Sequence, residues 1–241
     1  MKRALIFQHM DHDHPGRFLD FFSEDGIVPE MVRLWEGQAI PNLADYDFLF
    51  VLGGAQDTWQ EEQHPWMVAE KATIREWVRD RAKPYFGVCL GHQLLCDALG
   101  GEVGLTENPE VGVFDVSLTD DGKAHAFFSG LAQTNKVMQW HWAEVKRAPQ
   151  GAAVLATSEK SAIQAVAIND HAISTQFHCE FTPQTMAAWS SLPGYIASLE
   201  KQNGPGAYRN LVTEATPLMP QMARMTRQVY DNLMVATGLR K

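Results

Sequence analysis

Apolar and polar positions follow two rhythms along this chain. Short, almost wholly apolar runs at residues 3–8, 27–34, 46–52 and 85–88 each read as a strand. Between them, apolar residues recur three and four apart. Pro15 opens one such stretch, carried by Phe18, Phe21 and Phe22 and ended near Gly26. Residues 64–81 hold a second, with Trp66, Val68, Ile74, Trp77 and Val78 available to pack, and Leu94, Leu95, Ala98 and Leu99 mark a third after the fourth strand. Strands alternating with helices through short links predict an α/β fold, a doubly wound, mostly parallel sheet with helices on both faces.

From Glu102 the rhythm changes to strands at 111–118, 136–140, 153–157, 163–168 and 172–177, with turns at Asp121-Gly122 and Asn169-Asp170. These continue the sheet and add an antiparallel edge. After Pro183, helical spacing returns over 184–199, 208–212 and 218–233, broken by Asn203-Gly-Pro-Gly206 and Pro217. The regular apolar spacing excludes a disordered tail. This extension, 184–241, either packs back over the core of about 1–183 or forms a homodimer surface. Without a linker, repeat or low-complexity tract before residue 182, the 241 residues read as a single domain.

Charge and cysteine content narrow the class. A formal net charge of −9 argues against a nucleic-acid or anionic-membrane partner. No apolar run has the length of a membrane span, and Met1 leads straight into a strand without a signal-peptide pattern. Three cysteines, an odd number with one in a reactive setting, suit a reducing compartment. A cytoplasmic location is the expectation.

The chemistry concentrates where the fourth strand ends. Tyr85 to Val88 runs into Cys89, flanked by Gly87 and Gly91, and a helix follows. Strand, Gly-x-Cys-x-Gly, helix is the nucleophile-elbow order with cysteine for serine. The glycines permit the sharp turn, and the helix presents its positive end to the sulfur, which favours a thiolate. A base lies in Gln176-Phe-His-Cys-Glu180. Residues two apart on an extended segment share a face, so His178 and Glu180 sit side by side with Cys179 turned away. Together these make a Cys89-His178-Glu180 triad.

Gly87-Val-Cys-Leu-Gly-His-Gln93, Gln176-Phe-His-Cys-Glu180 and Leu52-Gly-Gly-Ala55 together resemble the class I, triad-type glutamine amidotransferases, close to stand-alone members similar to the amidotransferase part of GMP synthetase. The resemblance runs from about Ala4 to Pro183. It implies attack of Cys89 on the γ-carboxamide of glutamine or a γ-glutamyl compound, with Gly54 and Leu90 N–H groups as the oxyanion hole and no cofactor. It also implies substrate contacts from Gln93, Gly53 and His141. Two departures stand out: Ala55 replaces the usual proline, and Glu144 follows His141 where an aspartate two places on is usual.

Other features keep two readings. Gln139-Trp-His-Trp142 is a pocket wall or an aromatic core cluster. His9-Met-Asp-His-Asp-His14 is a metal site or a polar loop at the carboxyl edge of the sheet. No Gly-x-x-x-x-Gly-Lys-Ser/Thr loop is present, so a synthetase receiving ammonia is a separate chain. The alternatives are a stand-alone γ-glutamyl peptidase, hydrolase or transferase and, against the intact triad, a non-catalytic binding or regulatory module on the same fold.

Overall fold

Alternation along the first strand sets the two faces of the sheet. Ala4 and Ile6 enter one apolar cluster, while Leu5 and Phe7 enter another on the opposite side. The computed structural model describes residues 1–240. Its strands are β1 (Arg3–Gln8), β2 (Val28–Arg33), β3 (Phe48–Val51), β4 (Tyr85–Val88), β5 (Glu102–Leu118), β6 (Thr134–Arg147), β7 (Ala153–Thr157), β8 (Ala165–Ile168) and β9 (Ala172–Thr175). They form one sheet in the order β2-β1-β3-β4-β9-β8-β7-β5-β6. β2, β1, β3, β4 and β9 are parallel, and from β8 onward the sheet continues antiparallel.

Helices cover both faces. α1 (Phe18–Glu24) lies on the face of Ile6, Phe50 and Phe86; α2 (Trp66–Arg75) and α3 (Leu90–Ala98) lie on the face of Phe7, Val51 and Tyr85. The stretch expected as one helix over 64–81 ends in a π turn at Glu76–Asp80, and Val68 faces solvent rather than packing, 55% exposed. A short α4 (Asp120–Ala124) is capped by the Thr119 hydroxyl, which accepts from Gly122 N–H at 2.9 Å.

Several boundaries differ from the sequence expectation: β5 starts at Glu102 rather than at 111, β8 at Ala165 rather than at 163, and β9 stops at Thr175 rather than at 177. β6 continues through Trp140-His-Trp142 to Arg147 instead of ending at residue 140, because its residues pair across β5. The 184–199 stretch divides into α5 (Pro183–Ser190) and α6 (Pro193–Asn203), followed by α7 (Ala207–Ala215) and α8 (Met219–Ala236). A proline disfavours helix at the residue before it, and α5 stops just short of one.

The C-terminal helices pack back on the core. From α8, Val229, Tyr230, Leu233 and Met234 are wholly buried against α1 and the sheet. Full burial of such side chains is worth about 1.5–3 kcal/mol each, which favours the docked helix. Tyr230 also donates to Asp25 at 2.7 Å. α5 to α7 form a separate apolar cluster over β5 and β6, with Trp140, Trp189 and Leu211. Among the described residues, no helix is long and apolar enough to cross a membrane.

Candidate active site

The parallel strands all end at one edge, and the site is built from the residues just beyond them. β1 leads to His9, β3 to Gly53-Gly54, β4 to Cys89, and β9 to His178. Strand order reverses between β1 and β3, which opens a crevice at this edge of an α/β sheet.

Cys89 occupies a strained turn at φ 51° and ψ −107°, a region that side-chain-bearing residues rarely adopt. The fold holds it there. Cys89 N–H donates to Thr175 O at 2.9 Å, and its carbonyl accepts from the N–H groups of His92 and Gln93 as α3 begins. Gly91 permits the tight entry to the helix, since a Cβ there would lie 2.2 Å from Val51 O. Of the three thiols, Cys96 and Cys179 are pushed up by burial, and a neighbouring acid, Asp97 and Glu180 respectively, adds to the effect.

His178 closes on the elbow from β9. Its N–H donates to Met138 O at 3.0 Å, and its Nδ1 pairs with Glu180 Oε1 at 2.6 Å. Nε2 makes no hydrogen bond among the described residues, and the neighbouring Cys89 thiol donates to Trp140 O at 3.9 Å. Burial pulls the imidazole down, but Glu180 and Cys89 outweigh it and hold His178 well above its ordinary value. Gly53 fits between these parts: a Cβ there would stand 3.2 Å from His178 Cε1 and 3.7 Å from Cys89 Cβ.

Gly54 and Leu90 bring two backbone N–H groups to the elbow. Neither Gly54 N–H nor Leu90 N–H has an acceptor among the described residues. Leu90 is the first residue of α3, where an N–H has no partner within the helix. Gly54 and Cys89 line a cavity of about 390 Å³ walled by Trp140, Trp142 and Tyr195.

Gln93 and His141 also line that cavity. Gln93 donates to Ala143 O at 3.0 Å and to Gln176 Oε1 at 3.1 Å. His141 has both ring nitrogens engaged, Nδ1 with Ala143 O at 2.9 Å and Nε2 with Glu110 at 3.1 Å, so it presents a ring face rather than a free nitrogen. Trp140 is 6% exposed and serves both roles that the sequence leaves open, stacking on Tyr195 at 5.4 Å and bordering the cavity.

Sequence reasoning missed four contributors. Asp13, from the His/Asp-rich loop, is buried against the site and accepts from Trp189 Nε1 at 3.1 Å. Burial pushes its carboxyl up, and the nearby His178 partly offsets this. Trp189 meets His178 edge-on at 5.1 Å, and Tyr195 closes the aromatic wall. The two aromatics belong to the C-terminal extension, where only helical spacing was legible. The same loop supplies His9, buried with Nδ1 on Gly53 O and Nε2 on Glu70. Among the described residues, no group of three or more His, Cys, Asp or Glu side chains is arranged to hold a metal ion.

The family profile described as "Glutamine amidotransferase class-I" matches residues 25–189. Among individual relatives, a glutamine-hydrolyzing GMP synthase subunit of Sulfolobus acidocaldarius is 32% identical over 152 residues, covering 63% of this chain and 76% of that protein. Gamma-glutamyl peptidase 2 of Arabidopsis thaliana is 24% identical over 172 residues, covering 70% of this chain and 68% of that protein. The crystal structure of a glutamine amidotransferase from Thermotoga maritima superposes with a TM-score of 0.85 at 27% identity, covering 96% of this chain and 97% of that one.

Proposed function

Because the chain belongs to the class-I glutamine amidotransferase family, we propose that it cleaves the γ-carboxamide of glutamine or a γ-glutamyl amide through a thioester on Cys89. The observation that carries this reading is the strained elbow: Cys89 at the start of α3, beside an imidazole whose far nitrogen is bound by Glu180 at 2.6 Å. Cys89 Sγ attacks the carbonyl carbon as His178 Nε2 takes the thiol proton. Charge collects on the carbonyl oxygen, where the free N–H groups of Gly54 and Leu90 receive it, each donor worth about 3 kcal/mol. The C–N bond then breaks as His178 returns the proton to the departing ammonia or amine. Water attacks the γ-glutamyl thioester, giving its proton to His178, and the thiol is restored as glutamate leaves. A narrow space of about 10 Å³ between Asp13, Gly54, Cys89 and His178 is the size of one such water.

The cavity favours a substrate larger than glutamine. Its volume of about 390 Å³ and its Trp140, Trp142 and Tyr195 walls suit a γ-glutamyl amide whose amine carries an apolar group. The peptidase relative agrees with that reading. Delivery of ammonia to a separate synthetase chain is the second reading, favoured by the relatives named as GMP synthase subunits.

Release of ammonia or amine from glutamine and a panel of γ-glutamyl amides tests the proposal. Cys89→Ala is expected to lower turnover of the best substrate by at least about 10³-fold while the thermal melt is kept, as loss of a covalent nucleophile does. Wild-type turnover in that variant would overturn it.

A further inference from the structure

The oxyanion side of the site rests on a buried histidine that touches no reacting atom. His9 follows β1 and is 1% exposed; Glu70, on α2, is fully buried. His9 Nδ1 lies 2.7 Å from Gly53 O, and Nε2 lies 2.9 Å from Glu70 Oε1. Trp66 stacks on the ring at 5.5 Å and 16°, so the imidazole cannot turn. A carbonyl oxygen only accepts, so Nδ1 must carry a proton whichever group owns the proton shared with Glu70.

Gly53 O and Gly54 N–H belong to one peptide unit. The chain contains no cis peptide among the described residues, so these two groups point in opposite directions. Fixing the carbonyl on His9 therefore fixes the N–H on the other side, and Gly54 lines the same cavity as Cys89. Glycine on both sides of this peptide leaves little steric resistance to rotation, and Ala55, the next residue, has no ring to stiffen the turn. We propose that His9, its ring held in orientation by Glu70, is a positioning residue that locks the Gly53-Gly54 peptide with its N–H aimed at the oxyanion. The inference rests on the proposed reading of Gly54 as an oxyanion donor. It adds a source for that donor's preorganisation, and it assigns a task to a pair that the triad leaves unused.

Two substitutions separate the bonds of His9. In His9→Asn the side-chain amide N–H stands near the place of Nδ1 and keeps the Gly53 bond, while the Glu70 contact is lost. In His9→Gln the amide reaches Glu70, and the Gly53 bond is lost. His9→Gln is expected to lower kcat about 10–100-fold with KM changed little, part of the 10²–10³ that loss of one oxyanion donor costs. His9→Asn is expected to recover most of that loss. Iodoacetamide labelling of Cys89, which involves no carbonyl oxyanion, should proceed at the wild-type rate in both.

A readout independent of turnover is the Gly54 amide resonance in protein labelled with ¹⁵N-glycine. It should shift in His9→Gln and stay near its wild-type position in His9→Asn. Failure of the amidotransferase reading would appear as turnover that survives Cys89→Ala, and the Gly54 resonance would still test the lock. Wild-type kcat in His9→Gln, or an unmoved Gly54 resonance in a folded His9→Gln, overturns the inference. Equal losses in the two variants, with the resonance moved equally, overturn it as well.

Discussion

His178 with Glu180 and His9 with Glu70 are both buried imidazole–carboxylate pairs at the carboxyl edge of the same sheet. They differ in what the second nitrogen meets. In His178 the carboxylate takes Nδ1, leaving Nε2 toward Cys89. In His9 the carboxylate takes Nε2, and Nδ1 is already engaged by the Gly53 carbonyl. Burial pulls both imidazoles down, yet the adjacent glutamate holds each above its ordinary value, so charge environment does not separate them. The occupancy of the ring nitrogens does: a histidine with a nitrogen free toward a nucleophile can move protons, and one with both nitrogens bonded can only hold something in place. His141, bonded to Ala143 O and Glu110, falls with His9.

Parallel substitutions sharpen that contrast. Glu180→Gln removes the charge that stabilises the imidazolium and admits the wrong tautomer. Its kcat is expected to fall on the order of 10–10³, milder than the roughly 10⁴ of the analogous serine-protease change because a thiol ionises more readily. KM should change less, since the interaction strengthens in the transition state. Glu70→Gln keeps the shape and a partner for His9 Nε2, and therefore the Nδ1–H on Gly53. Its kcat should stay within about fivefold of wild type, under about 1 kcal/mol in barrier. Steady-state kinetics on both variants decides: equal losses would erase the distinction between the working and the locking pair.

A smaller effect should appear in stability. His92, packed at Ser174, is lowered to about 3 by burial and by the neighbouring His141. The unfolded chain takes up this proton near the ordinary 6.5 and the native state does not until about 3. Stability should therefore fall as pH drops from 6.5 toward 3, by up to about 1.4 kcal/mol per pH unit from this group. The raised His9 and His178 act in the other direction, losing their contribution as pH rises through their native values, while Glu144 and Asp231, which burial pushes up but their Lys146, Arg227 and Arg240 partners hold below the ordinary value, share the acid limb with His92. His92→Gln should flatten that limb in denaturant titrations taken at several pH values; an unchanged slope would remove His92 as a cause.

The parallel half of the fold and its elbow were legible because the information is local: apolar runs mark β1 to β4, and Gly-x-Cys-x-Gly follows the last of them. His178 and Glu180 were legible by their period-two spacing. The hairpin of β5 and β6 was less so. Its register shifts between Leu105 and Glu110, and charged residues such as Glu107 and Glu110 break the apolar signal of a strand that pairing across β6 nevertheless sustains. His9 and Asp13 were hidden for another reason. In sequence they belong to a polar run, and only the docking of α2 and α5 buries them against Glu70 and Trp189. Trp189 and Tyr195 were likewise visible only as helix-spaced apolar residues, because nothing local says that α5 and α6 fold over the triad.

The central claim is that Cys89 carries the acyl group while His178 moves the protons. It is tested most directly by acid-quenching the enzyme during turnover of its best γ-glutamyl substrate and mapping the peptides by mass. The expected result is a γ-glutamyl adduct on the Cys89 peptide alone, seen in wild type and absent in Cys89→Ala. An adduct on Cys96 or Cys179, or turnover in Cys89→Ala at the wild-type rate, would contradict it.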